Sequence, residues 1–222
     1  MNLKAYFKAL VTMISIVVLT GCATKTPIDY TAYKASHPRS ILVLPPLNST
    51  PEVQASYSVL SYTTLPLAEA GYYVMPVTLV AEAFKENGMT QPADMHATSA
   101  DKLRKIFGAD AVLYINISKY GTVFQVINSV TVVTAEAKLV DLKTGKLLWT
   151  GTASASSDEQ RNQQQGGGLA GLLLTAIVKQ VVATSFDKSH EVAGVATTRL
   201  LSAGTYNGVL LGPRSPNYGK TE

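Results

Sequence analysis

The chain offers few residues that could do covalent or acid–base chemistry. Its one cysteine, Cys22, is the sole thiol, and a thiolate is a strong nucleophile able to accept a covalent group. A single cysteine excludes a disulfide framework and every multi-cysteine metal site. Three histidines, His37, His96 and His190, are candidates for proton transfer, the last beside Glu191. No two stand three or four residues apart, the spacing that brings two zinc ligands together, so no metal and no cofactor is expected. Gly151-Thr-Ala-Ser-Ala155 lacks the second glycine of a nucleophile elbow and falls in a predicted strand. Gly166-Gly-Gly-Leu-Ala-Gly171 lacks both the Lys-Ser/Thr and the preceding strand of a phosphate loop, and reads as a hinge. The carboxylates Glu69, Asp110, Glu136 and Asp141 fall on separate elements, and Asp141 is explained by a turn. The chain is therefore read as no enzyme.

What precedes Cys22 gives that thiol a context. A basic stretch with Lys4 and Lys8 leads into an apolar run over 9–19 and then small residues, the layout of a bacterial secretory signal. The run is too short for a membrane helix, which needs about 20 residues. It ends in Leu19-Thr-Gly-Cys22, which resembles the lipobox of bacterial lipoproteins. The resemblance implies diacylglycerol on the Cys22 sulfur, cleavage before Cys22 and acylation of the new amine, palmitate being a usual chain. Each buried methylene adds about 0.8 kcal/mol, so several chains anchor firmly. By the same resemblance, Ala23 after the cysteine, rather than aspartate, favours the outer membrane, with the body facing the periplasm.

The elements are set out by apolar runs and breakers. At 222 residues, 46% hydrophobic and 15% charged, the chain is long enough for one packed domain and is no disordered chain. Loss of Lys4 and Lys8 lowers the formal charge from +4 to +2, with no basic patch for nucleic acid. Residues 1–21 read as the signal peptide, 22–39 as a lipidated tether, 40–202 as an α/β domain and 203–222 as a Pro/Gly/Tyr-rich tail on or beside it. Ser40-Ile-Leu-Val-Leu44, closed by Pro45-Pro46, predicts a strand buried on both faces. A helix over 52–65, ended or kinked by Pro66, precedes a strand over 72–75. Thr78 is expected to cap a helix over 79–86, Pro92 to lie in a loop, and a helix over 99–107 to stop at Gly108.

A third apolar strand is predicted over 111–118. The β-branched stretch 122–140, the turn 141–146 and the run 147–154 read as a long hairpin with Gly145 at its turn. The stretch 154–168 is polar, and 169–185 is strongly apolar. The latter reads as a buried helix, with a membrane-touching one as the alternative. A last helix is expected near 191–201. The fold class is thus α/β, a single mixed sheet with helices packed on it.

Ser40-Ile-Leu-Val-Leu-Pro-Pro-Leu-Asn48, Glu69-Ala-Gly-Tyr-Tyr-Val74, Gly108-Ala-Asp-Ala-Val-Leu-Tyr114 and Leu139-Val-Asp-Leu-Lys-Thr-Gly-Lys-Leu-Leu-Trp149 stand one after another in order. The set resembles the fold shared by the TolB amino-terminal domain, CsgG and LpoB. With Gly212-Pro-Arg-Ser-Pro-Asn-Tyr218 it more narrowly resembles a family of Gram-negative lipoproteins of unknown function, related to a meningococcal surface antigen. The resemblance covers roughly 40–218, and it transfers fold and location more than task.

These features together imply a binding or assembly module of a secretion or trans-envelope complex, with the membrane as one partner through the lipid anchor. A CsgG-like lipoprotein and a small lipoprotein are the expected protein partners. The alternative is a ligand-binding or accessory lipoprotein of an ABC-type transporter. Tyr57, Tyr62, Tyr72, Tyr73, Tyr206 and Tyr218 are candidates for contact patches. Self-association into a homo-oligomer is expected through the stretch 123–133, if it stands at a sheet edge, or through the apolar run from Leu169.

Overall fold

The computed structural model describes residues 27–124, 129–159 and 185–220. Ile41, Leu42, Val43 and Leu44 have no exposed surface, because β1 (Ser40–Val43) is covered on both faces and flanked on both edges. Pro45-Pro46 ends it, as proline cannot donate to a ladder. The short β2 (Leu47–Asn48) comes next, then β3 (Tyr73–Val74) and the long β4 (Ala111–Phe124). β3, β1 and β4 are parallel neighbours, and β2 continues beside β4 where β1 stops. β5 (Ser129–Asp141) runs back antiparallel to β4, and β6 (Leu147–Ser156) antiparallel to β5. The result is one mixed sheet of six strands in the order β3-β1-β4-β5-β6, with β2 beside β4.

The described helices are α1 (Thr31–Ser36), α2 (Ala55–Ser61), α3 (Thr64–Glu69), α4 (Val77–Glu86), α5 (Pro92–His96), α6 (Ala100–Phe107) and α7 (Ser185–Leu201). The pleat sorts apolar side chains between the two faces of the sheet. Ile41, Val43, Leu113 and Ile115 face Val192, Ala193, Ala196 and Leu200 of α7, together with α2 and α3. Leu42, Leu44 and Val112 face Val80 and Phe84 of α4 and Leu103 of α6. The predicted start and stop of α6 are both present. Ser99 accepts the Lys102 amide in its cap, and Gly108 takes the left-handed conformation at φ +67°.

Several boundaries differ from the sequence expectation. The stretch 22–39 is no tether from Pro27 onward: it contains α1, and Tyr33 is buried, its hydroxyl satisfied by that of Tyr72. The helix expected over 52–65 is two helices broken at Tyr62-Thr63. Pro66 lies inside α3 as its third residue, where its missing amide costs no helical bond. Pro76, not Thr78, precedes α4, and no side chain caps that helix. Pro92 opens α5 rather than a loop, since its fixed φ suits a first helical position. The last helix already includes Ser185, ahead of the expected start near Glu191.

The hairpin is also double. β4 continues past Ser118 through Gly121 to Phe124, with an irregularity between Ile117 and Lys119. Within the stretch 123–133, Val123 pairs with Val130 across β4 and β5, and β6 flanks β5 only from Val132 onward, so among the described residues Val123 and Ser129–Thr131 have a strand on one side only. Val126, the rest of the polar stretch from residue 160 and the apolar run up to residue 184 lie outside the described residues.

Candidate functional site

Among the described residues, the helices on the second face cover β1, the start of β4 and Val140 near the end of β5. Farther along, strand alternation brings Tyr114 and Asn116 of β4, Lys138 and Glu136 of β5, and Thr150 and Thr152 of β6 to the same uncovered side. They stand in two cross-strand rows, Tyr114–Lys138–Thr150 and Asn116–Glu136–Thr152. With Leu47 and His96 they line a groove of about 430 Å³.

His96 reaches this groove because α5 ends there. Its Nε2 lies 2.9 Å from the Pro45 carbonyl oxygen; a carbonyl only accepts, so Nε2 carries the proton and Nδ1 is left as an acceptor. The imidazole meets the Tyr114 ring edge-on, with centroids 5.2 Å apart. Lys138 Nζ sits 4.8 Å from the centre of that same ring, a cation–π contact. Burial pushes the His96 pKa below its ordinary value; the Pro45 bond opposes this and the Lys138 charge adds to it. The ring is thus neutral at neutral pH. The groove offers an aromatic face, a cation, a carboxylate and an amide side by side, which suits recognition.

A second cluster has the residue types of a nucleophilic pair. Ser58 Oγ lies 3.1 Å from His190 Nδ1 and accepts the Tyr120 hydroxyl at 2.8 Å, with the Tyr62 ring tilted 41° against the imidazole. Ser58 is only 4% exposed, so a substrate carbonyl cannot approach its oxygen. The cluster joins α2, β4 and α7, and its members are too far apart in sequence for spacing to reveal it.

Two of the carboxylates, Asp110 and Asp141, hold the backbone in place. Asp110 accepts the amides of Arg39 and Ser40 and the Ser40 hydroxyl, tying the start of β1 to that of β4. Asp141 accepts the amides of Lys143 and Thr144 in the expected turn. Glu69 ends α3, and Glu136 lies in the groove. Gly151 leaves room for the Trp149 indole, which a Cβ there would strike.

Two further concavities involve the chain ends of the described fold. A pocket of about 220 Å³ lies among Tyr33, His37, Tyr72, Leu210 and Tyr218. Tyr72 donates to the Leu210 carbonyl at 2.7 Å, and His37 Nδ1 meets the Tyr218 hydroxyl at 2.8 Å. The other, about 680 Å³, lies along the outer edge of β6 beside Ile28, Arg199 and Tyr206. Of the tyrosines expected at contacts, Tyr57 and Tyr206 are well exposed, Tyr73 and Tyr218 partly so, Tyr62 is half-buried and Tyr72 belongs to the core. Cys22 lies outside the described residues. Among the described residues, no group of His, Cys, Asp and Glu could hold a metal ion, and no helix is long and apolar enough to cross a membrane.

Comparison with known proteins agrees with this architecture. The family model described as "Putative lipoprotein GNA1162-like" matches residues 28–214. "Putative lipoprotein NMB1124/NMB1162" of Neisseria meningitidis serogroup B is 46% identical over 202 residues, spanning 90% of this chain and 93% of that protein. The crystal structure of lipoprotein GNA1162 from Neisseria meningitidis is 50% identical, with a TM-score of 0.52 over 65% of this chain and 98% of that one. The C-terminal domain of LpoB from Salmonella enterica is 21% identical, with a TM-score of 0.36 over 52% of this chain and 81% of that one. By a match that runs from the residues before α1 into the tail after α7, the chain belongs to the GNA1162-like lipoprotein family.

Proposed function

We propose that the protein is an outer-membrane lipoprotein that works as a non-enzymatic binding and assembly module of an envelope complex, facing the periplasm. In this reading residues 1–21 are removed, Cys22 carries the lipid, and the α/β body presents its open sheet face to a partner protein. A CsgG-like lipoprotein is the partner implied by the resemblance in the sequence. The observation that carries the reading is the polar face of β4, β5 and β6, left uncovered among the described residues, where Tyr114, Asn116, Glu136 and Lys138 stand side by side. Lipid anchoring supports it further, because confinement to a surface raises the effective concentration of partners there.

The test is crosslinking in intact cells, followed by detergent extraction and mass spectrometry. Wild-type protein is expected to recover an envelope lipoprotein, and Tyr114→Ala with Lys138→Glu to lower that yield at least tenfold while melting normally. Undiminished recovery by a folded double variant overturns the reading.

A second reading, a ligand-binding lipoprotein of a transport system, rests on the pocket between Tyr33, His37, Tyr72 and Tyr218. It predicts a rise in melting temperature with a small-molecule library hit, abolished by His37→Ala.

A further inference from the structure

We propose that the β6 edge of the fold, at Ile28, Arg199 and Tyr206, is the face that docks on the lipid bilayer; this rests on the reading of Cys22 as the anchored residue. The argument starts from where the chain joins the fold. The Ile28 amide donates to Asn207 Oδ1 at 3.1 Å, and the Tyr30 hydroxyl donates to the Gly208 carbonyl at 2.6 Å. The Trp149 indole donates to the Asn207 carbonyl at 2.9 Å. Residues 28–30 are thereby fixed to the 207–208 turn and, through it, to β6.

From Cys22 to Ile28 there are only six residue steps, which reach about 20 Å when fully extended. A fold of this length has a radius of gyration of about 16 Å and a diameter of about 40 Å. The leash is about half that diameter. It lets the pole bearing Ile28 touch the bilayer, and it holds α6, packed on the opposite face of the sheet, away from it.

The surface at that pole suits headgroups. Tyr206 is 70% exposed, and a tyrosine ring with a polar tip prefers the membrane interface. Arg199 stands beside it, holding the Ser154 carbonyl and Glu159 with a long apolar stem that can lie along the interface. Glu159 is paired with Arg199, and the Asp29 carboxylate keeps its charge while accepting the amide and hydroxyl of Thr31. The outer edge of β6, which pairs with no strand among the described residues, then faces the polar headgroups, whose donors and acceptors can meet its backbone. The concavity along this edge shares Thr150, Gly151 and Thr152 of β6 with the groove at His96, whose remaining lining comes from β2, α5, β4 and β5.

The lipidated mature chain is tested in vesicles of phosphatidylethanolamine and phosphatidylglycerol carrying a headgroup nitroxide. Lipid occupies the native thiol, so a cysteine introduced as Thr205→Cys or as Lys105→Cys takes a fluorophore alone; the exposed Thr198, replaced as Thr198→Cys, substitutes for the first if it fails to fold. Quenching at position 205 is expected to exceed that at 105 at least threefold. Equal quenching, or stronger quenching at 105, with lipid present on Cys22 by mass spectrometry overturns the docking face alone. An unmodified Cys22 overturns the anchor and, with it, this placement.

Discussion

The hydroxyls of Tyr33 and Tyr72 meet at 2.9 Å inside the fold, joining α1, which precedes the first strand, to the residue that leads into β3. Tyr72 spends its proton on the Leu210 carbonyl, so Tyr33 is the donor of the pair. The relay links three distant parts of the chain. Tyr33→Phe removes only the outermost donor and should cost about 1 kcal/mol. Tyr72→Phe also leaves the buried Tyr33 hydroxyl without its acceptor and should cost about 2–3 kcal/mol. The double variant should cost less than the sum by about 1 kcal/mol, because the orphaned group is gone. Urea denaturation of the four proteins checks this; strict additivity contradicts the relay.

The same pair sets an alkaline limit. Burial, the largest cause for each, pushes both phenols above their ordinary value near 10. The folded state therefore holds these protons more tightly than the unfolded state does. Their contribution is complete below the unfolded value and is lost as pH rises from about 10 through the folded values. Stability measured from pH 8 to 11.5 should fall in the upper part of that range, and less steeply in the Tyr33→Phe/Tyr72→Phe protein.

Asp141 has the opposite sign. Burial pulls its carboxyl upward, but hydrogen bonds from Ser36, Thr144 and Lys143 outweigh that and hold its pKa below the ordinary value. Its contribution is full above pH about 4 and is lost as pH falls through the folded value. Asp141→Ala should cost about 1–3 kcal/mol at pH 7 by opening the β5–β6 turn. Asp141→Asn should recover part of this, and its deficit against wild type should shrink by pH 3. Denaturation curves at the two pH values measure both effects.

Gly71 is where the tail after α7 is pinned. It sits at φ +96°, and a Cβ there would strike the Ser215 amide and the Gly212 carbonyl. The tail is held by the Gly212 amide on the Ala70 carbonyl and the Arg214 amide on the Gly71 carbonyl. Gly71→Ala should cost about 1–3 kcal/mol from backbone strain alone. It should also loosen residues 210–220, seen as faster cleavage there in limited proteolysis.

These positions mark how far the chain could be read in advance. β1, the cap and stop of α6 and the Asp141 turn carry their causes within a few residues, so local chemistry sufficed. α1 did not, because what buries Tyr33 is Tyr72, 39 positions away. Gly121 reads locally as a strand end after Ser118. It stays in β4 because β5 supplies partners on one side, and the Glu52 side chain lies against it. The groove shows the same limit: Tyr114, Glu136 and Lys138 belong to two strands whose register no short motif encodes. His96 came to notice as a residue type, but its neighbours in space did not.

His96 provides a pH test of that groove. Burial is the main cause of its lowered pKa. In the window below the ordinary value of 6.5, the unfolded chain takes up a proton that the folded chain resists. Stability is full above pH about 6.5 and falls as pH drops toward the folded value. His96→Gln keeps a donor toward the Pro45 carbonyl and cannot titrate, so its stability should be flatter between pH 7 and 5. The Tyr114 ring packs on the imidazole, so protonation should also disturb the groove. Partner crosslinking by wild-type protein should weaken at pH 5 relative to pH 7.5, and that of His96→Gln should change less. An identical pH response in the two proteins, for stability and crosslinking alike, would remove His96 from the account of the groove.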